Sequence, residues 1–246
     1  MDYFDTIAKL GDLYSGYGIY PSECFGESSA VGRIRERFPE DPYFKDFDIF
    51  LSRQNRPRNK RGADLPWWDF DYFRPESNKK RIMIFSQDSL SEDAGSIVFY
   101  ACLMDKLSPV EFTTFRSLAK IPVFSSWSRA QDMIMSIRRF GSIFLTDAMK
   151  VYKDGSWAIG DFDLAKSRQL IQDEIEFCMP DLIVILGQKS CSLILNENYS
   201  EVVARKILSR DGRNYLIGPF PSNQSNKDLF NKRREETLEL ISEFLM

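Results

Sequence analysis

Histidine is absent from all 246 residues. Its absence excludes a Ser-His-Asp or Cys-His nucleophilic centre and every zinc site built on imidazole. Any proton chemistry must run on carboxylates, lysine, tyrosine or backbone groups. Cysteine is scarce too: Cys24, Cys102, Cys178 and Cys191 form no close pair, which argues against a zinc ribbon or a disulfide framework. Cys102 and Cys178 lie in apolar contexts and are expected in the core. No apolar run approaches the ~20 residues that span a bilayer. The opening Met1-Asp2-Tyr3-Phe4-Asp5 has no basic region followed by an apolar core, so secretion is not expected and a cytoplasmic location is the default. Repeats and low-complexity tracts are also missing.

What remains is the composition of a soluble globular protein, 43% hydrophobic and 28% charged, long enough for one well-packed domain. The net charge of −3 does not by itself suggest nucleic acid, yet the charge is uneven. Arg53 to Arg61 is a basic loop and Asn231-Lys232-Arg233-Arg234 a second basic spot. Such runs are often no more than solvated loops.

Two apolar runs each end in an aspartate. Arg81-Ile82-Met83-Ile84-Phe85 leads to Ser86-Gln87-Asp88, and Ser142-Ile143-Phe144-Leu145-Thr146 leads to Asp147. Runs apolar nearly throughout read as buried strands of a parallel sheet. Leu182–Leu186 and Tyr215–Gly218 read the same way. Helical spacing is seen near Tyr3–Leu13, Ala30–Phe38, Phe44–Leu51, Ser96–Lys106, Glu111–Leu118, Arg129–Arg139, Asp163–Cys178, Lys189–Leu195 and Lys227–Leu245. Strands alternating with helices predict one α/β domain over 1–246, with a central four-stranded parallel sheet and helices on both faces. Residues 1–80 form an aromatic and basic extension, and Pro66–Phe73 is too aromatic to float free of the 81–246 core. Ligands of such sheets bind outside the carboxyl ends of the strands. The competing reading of Asp88 and Asp147 is two solvated loop acids.

In order, the four strand ends are Ser86-Gln87-Asp88, Thr146-Asp147, Gly187-Gln188-Lys189-Ser190 and Phe220-Pro221-Ser222. This series, with Glu174–Gly187 and the Ser/Asn loop before the last helix, resembles the uracil-DNA glycosylase superfamily over about residues 80–246. In that family the first strand ends in a Gly-Gln-Asp-Pro-type segment and the second in a base-reading asparagine. The third ends in a Gly-Ser or Gly-Ala loop at a phosphate, and the fourth in His-Pro-Ser. The resemblance implies a monofunctional enzyme that flips a base out of DNA and hydrolyses its N-glycosidic bond. Asp88 would then stabilise the cationic sugar and orient water, amides near Gln87 would face the base, and Phe99 (or Tyr100) would stack beneath it. An ordinary core aromatic is the competing reading of Phe99. Lys189, Ser190, Ser222, Gln224, Ser225, Lys232 and Arg233 would hold DNA, with Asn226 on the same loop and Leu229 or Phe230 as the only candidates for an apolar wedge.

Three departures bear on substrate. Asp147 stands for the base-reading asparagine; an ionised aspartate only accepts, which suits the amino group of cytosine better than O4 of uracil. A protonated one could also donate to N3 of cytosine. Leu90 replaces an aromatic at the C5 side of the base, leaving room for a C5 substituent. The expected substrate is therefore a cytosine-type or 5-substituted cytosine base, as in modified phage DNA. Phe220 replaces the histidine, so a donor to the departing base is missing unless Asn223 or Gln224 supplies it; losing one such donor costs ~10²–10³ in rate. Two alternatives stay open: a catalytically silent DNA-binding relative, and a nucleoside or glycoside hydrolase using the two aspartates. Lys150 as a Schiff-base nucleophile needs a lowered pKa, and nothing near it in sequence provides one. No metal, iron–sulfur cluster or other cofactor is expected, no membrane association, and a monomer.

Overall fold

The computed structural model describes residues 2–17, 30–53, 66–87, 106–118, 127–150, 164–222 and 226–246. In chain order the elements are α1 (Tyr3–Tyr17), α2 (Ala30–Arg37), α3 (Pro42–Ser52), β1 (Trp67–Trp68), β2 (Arg81–Ser86), α4 (Pro109–Leu118) and α5 (Trp127–Arg138). They continue with β3 (Ser142–Asp147), α6 (Leu164–Cys178), β4 (Leu182–Leu186), α7 (Gln188–Ile194), α8 (Tyr199–Val202), β5 (Ile207–Arg210), β6 (Arg213–Gly218) and α9 (Lys227–Leu245).

The fold is α/β. The sheet has six strands in the order β1-β3-β2-β4-β6-β5. Its middle, β3-β2-β4-β6, is parallel, as the four buried runs predict; β1 and β5 add antiparallel edges that the four-strand expectation lacked. The reason is plain in each case. Trp67–Trp68 is two residues long and carries no period. Ile207–Arg210 is half-exposed to exposed along its length, so no buried run marks it. Its hairpin partner follows Asp211-Gly212, both at positive φ (49° and 73°), the pair of left-handed residues that a tight hairpin turn requires.

Apolar strand interiors explain the sheet: Ile82, Met83, Ile84 and Phe85 on β2, and Ile143, Phe144 and Leu145 on β3, are fully buried. Registered partners of parallel strands share a face, so Phe85, Thr146, Ile185 and Ile217 look one way. There α6 covers them, with α1 packed on α6 and α3 on α1. Gly218 looks the other way, toward Met133 of α5 and Thr237 of α9. The N-terminal region packs on this body through an aromatic cluster. Trp68 stacks parallel to Phe144 (centroids 6.2 Å apart, planes 11°), and the Tyr43 hydroxyl donates to the Pro66 carbonyl at 2.7 Å.

Local caps set the helix starts. Asp41 accepts from the Tyr43 amide ahead of Pro42, and Asn226 accepts from the Asp228 and Leu229 amides. At α4, Ser108 and Glu111 satisfy each other's amides, a capping box that starts the helix at Pro109. The expected Ser96–Lys106 helix lies outside the described residues, except Lys106 itself. So do Cys24 and Cys102; Cys178 and Cys191 are buried thiols. Among the described residues no helix is long and apolar enough to cross a membrane.

Candidate functional site

From β2 the chain passes to β3 on one side; from β4 it passes to β6 on the other. The sheet thus reverses its winding between β2 and β4, and the crevice of such a fold opens outside the carboxyl ends there. Gln87 follows β2, while Gln188 and Lys189 follow β4. The Ser190 hydroxyl closes the base of the crevice by donating to the Ser86 carbonyl at 2.8 Å. Ser190, expected at a phosphate, is 1% exposed and spends its proton on this bond.

Beyond β3 the backbone continues to pair with the first motif: the Ala148 amide donates to the Ser86 carbonyl at 3.1 Å and the Met149 amide to the Gln87 carbonyl at 2.9 Å. These bonds pin Asp147 beside Ser86. Asp147 has no solvent exposure. Its neighbours in sequence point to the opposite face and build a buried polar cluster there. Lys150 and Glu174 are both fully buried, with Nζ 2.6 Å from Oε2. Lys150 also donates to the Thr146 hydroxyl at 2.7 Å, and that hydroxyl donates to Glu174 Oε1 at 3.3 Å. Desolvation by itself pushes the Glu174 carboxyl well above its usual range, and the Lys150 amine at 2.6 Å opposes that rise by favouring the ion pair. Lys150 is therefore buried, as a nucleophilic lysine would need, but clamped against a carboxylate that favours its charged, unreactive form.

On the β6 side the crevice widens into a cavity of about 430 Å³, lined by Gln87, Gln188, Lys189, Tyr199, Pro219, Phe220, Asn226, Leu229, Phe230 and Arg233. Among the described residues of that lining there is no carboxylate. Gly187 makes the approach of β4 to β6 possible: at φ 92° it takes a conformation open to glycine, and a Cβ there would meet the Phe220 Cβ at 2.8 Å. The segment after β6 is tied down by the Ser222 amide donating to the Phe220 carbonyl at 2.8 Å and by Arg129 donating to the Ser222 carbonyl. Arg233 stands 5.8 Å from the Tyr199 ring centroid, and Arg129 5.4 Å from that of Phe230.

The chain matches no family model and no curated protein.

Among the expected site residues, Gln87, Lys189, Phe220 and Arg233 share the cavity, together with Asn226, Leu229 and Phe230. Asp147 lies at the same sheet edge but outside the cavity lining, and Ser222, two residues after Phe220, is not part of that lining either. Lys232 is on the exposed side of α9, 3.8 Å from Glu236. Asp88, Leu90, Phe99, Tyr100, Asn223, Gln224 and Ser225 lie outside the described residues. Of the Arg53–Arg61 run only Arg53 is described, paired with Asp12 at 2.9 Å. Sequence reasoning missed Tyr199, Gln188 and Arg129 at the site. Tyr199 opens a helix of four residues after the capping Asn198, too short to show a period. Chemically, the arrangement offers a cationic, partly aromatic crevice beside a dry, carboxylate-bearing strand end.

Proposed function

We propose that this protein is a DNA glycosylase of the uracil-DNA glycosylase type, hydrolysing the N-glycosidic bond of a cytosine-type or 5-substituted cytosine base. The observation that carries the reading is the convergence of the four motif-bearing strand ends. Those of β2, β3, β4 and β6 lie on one edge of one parallel sheet, the first two in direct register at Ser86 and Asp147. Lys189 and Arg233 in the cavity lining give the phosphate backbone an electrostatic foothold on that edge.

Asp88, which directly follows Gln87, takes the role of stabilising the oxocarbenium-like sugar and orienting water. Asp147 reads the base by accepting from its amino group, in a dry setting where hydrogen-bond mismatches are most costly. Because Asp147 is fully buried, a base reaches it only when the edge opens. The reaction sums to sugar hydroxyl plus free base, with no covalent enzyme intermediate. Lys150, held by Glu174 and Thr146, takes no part as a nucleophile.

A second reading is favoured by Phe220, which has no proton to donate to a departing base: a relative that binds DNA without cutting it. Base release from oligonucleotides carrying uracil, cytosine and a series of 5-substituted cytosines separates the two. The enzyme releases cytosine-type bases, and Asp88→Asn abolishes release with the fold intact. Gel retardation without release of any base would establish the silent binder, and release of uracil alone would overturn the cytosine assignment.

A further inference from the structure

Glycosidic cleavage leaves negative charge on the base, and Phe220 cannot stabilise it. The wall of the same cavity holds a group that can. Tyr199 lines the cavity next to Phe220, Gln87 and Arg233. The Arg233 guanidinium lies 5.8 Å from the centre of its ring. The Phe220 backbone amide and the Arg233 side chain both face the phenol oxygen. Amide and guanidinium are donors only, so they address the two lone pairs of the phenol and leave its proton unclaimed. Burial raises the phenol above its ordinary range, the cation and the amide offsetting part of the rise, so Tyr199 stays protonated at neutral pH.

We propose that the Tyr199 hydroxyl is the hydrogen-bond donor to the departing base, replacing the histidine whose place Phe220 occupies. The proposal rests on the glycosylase reading. In the step itself the bond from C1′ to the base nitrogen breaks, and its electron pair moves onto the base, spreading to the ring carbonyl oxygen. Tyr199 donates its O–H to that oxygen without losing the proton, while Arg233 supports the polarised phenol from behind. Water adds to C1′; its proton passes to the Asp88 carboxylate and from there to the base nitrogen. Phe220 contributes its backbone amide, which orients Tyr199, and an apolar ring that keeps water from the oxygen. Phenylalanine is thus tolerated at this position because the donor has moved to α8.

The test is Tyr199→Phe, which keeps the ring and removes only the hydroxyl. Single-turnover base release is measured on oligonucleotides whose cytosine-type bases differ in leaving ability, with DNA affinity by fluorescence anisotropy alongside. A donor to the leaving group is worth most where that group is poorest. The expected result is a loss of ~10²–10³ in rate for the poorest leaving base, a distinctly smaller loss for a base with an electron-withdrawing C5 substituent, and unchanged DNA affinity. Phe220→His in the Tyr199→Phe background restores a donor and recovers rate. A variant as fast as wild type, or one slowed equally for every base and not rescued, overturns the role of Tyr199 while leaving an active enzyme. A wild type inert on every base takes down the glycosylase reading and this proposal with it.

Discussion

The two halves of the same sheet edge are made of opposite materials. Toward β3 it is closed: Asp147 has no exposure, and behind it Lys150, Thr146 and Glu174 satisfy one another in a dry interior. Toward β6 it is open, with cationic Lys189 and Arg233 and the rings of Tyr199 and Phe220 around a cavity. Burial strengthens the penalty for a wrong hydrogen bond, which suits discrimination between bases. Exposure with positive charge gives affinity without sequence preference, which suits a phosphate backbone. One edge thus divides reading from holding, and substitutions on its two halves should fail differently.

The largest effect is expected on the closed half. Glu174→Leu alone leaves the Lys150 ammonium buried without its carboxylate and should cost about 3–5 kcal/mol of stability in urea unfolding. Lys150→Met combined with Glu174→Leu removes both charges and should recover most of that loss; a double variant as unstable as the single one would deny that the pair acts as a unit. Next is the seam between the halves. Gly187→Ala puts a side chain at φ 92° against Phe220 and should cost about 1–3 kcal/mol, read as a lowered Tm. An unchanged Tm would mean that β6 can shift away from β4 freely.

Asp147→Asn should move selectivity rather than stability, turning the base preference toward uracil by about 1–3 kcal/mol, roughly five- to 150-fold in relative release rates. For the cationic residues of the open half the changes are smaller and uniform. Arg233→Gln should weaken binding of all DNA sequences alike and lower the slope of log affinity against log salt by about 1. Lys232→Gln, outside the cavity and facing Glu236, should leave that slope nearly unchanged. Equal effects of the two substitutions would erase the cavity's claim to the backbone.

The parallel centre of the sheet was legible because Ile82–Phe85, Ile143–Leu145, Leu182–Leu186 and Tyr215–Ile217 are buried on both faces and so apolar without interruption. β1 and β5 were not, since an edge strand needs no such run. Asp211-Gly212 was the signal available for the β5–β6 hairpin. At the site, motif order marked Gln87 and Phe220 for the base and Lys189 for DNA, and the three share one cavity with Arg233. It could not reveal that the Ser190 hydroxyl turns inward to Ser86, because a serine at a helix start reads the same whether it faces solvent or backbone. Nor could it reveal Lys150 with Glu174, whose pairing joins residues far apart in the chain, or Tyr199, which only the approach of α8 to the end of β6 brings to the cavity.

The most direct test of the account is base release measured side by side for the wild-type protein and Asp147→Asn, on matched oligonucleotides bearing uracil, cytosine or a 5-substituted cytosine. The wild type is expected to free the cytosine-type base in preference to uracil, and the asparagine variant to shift toward uracil. A wild type that frees only uracil, or a preference that asparagine leaves untouched, would contradict that expectation.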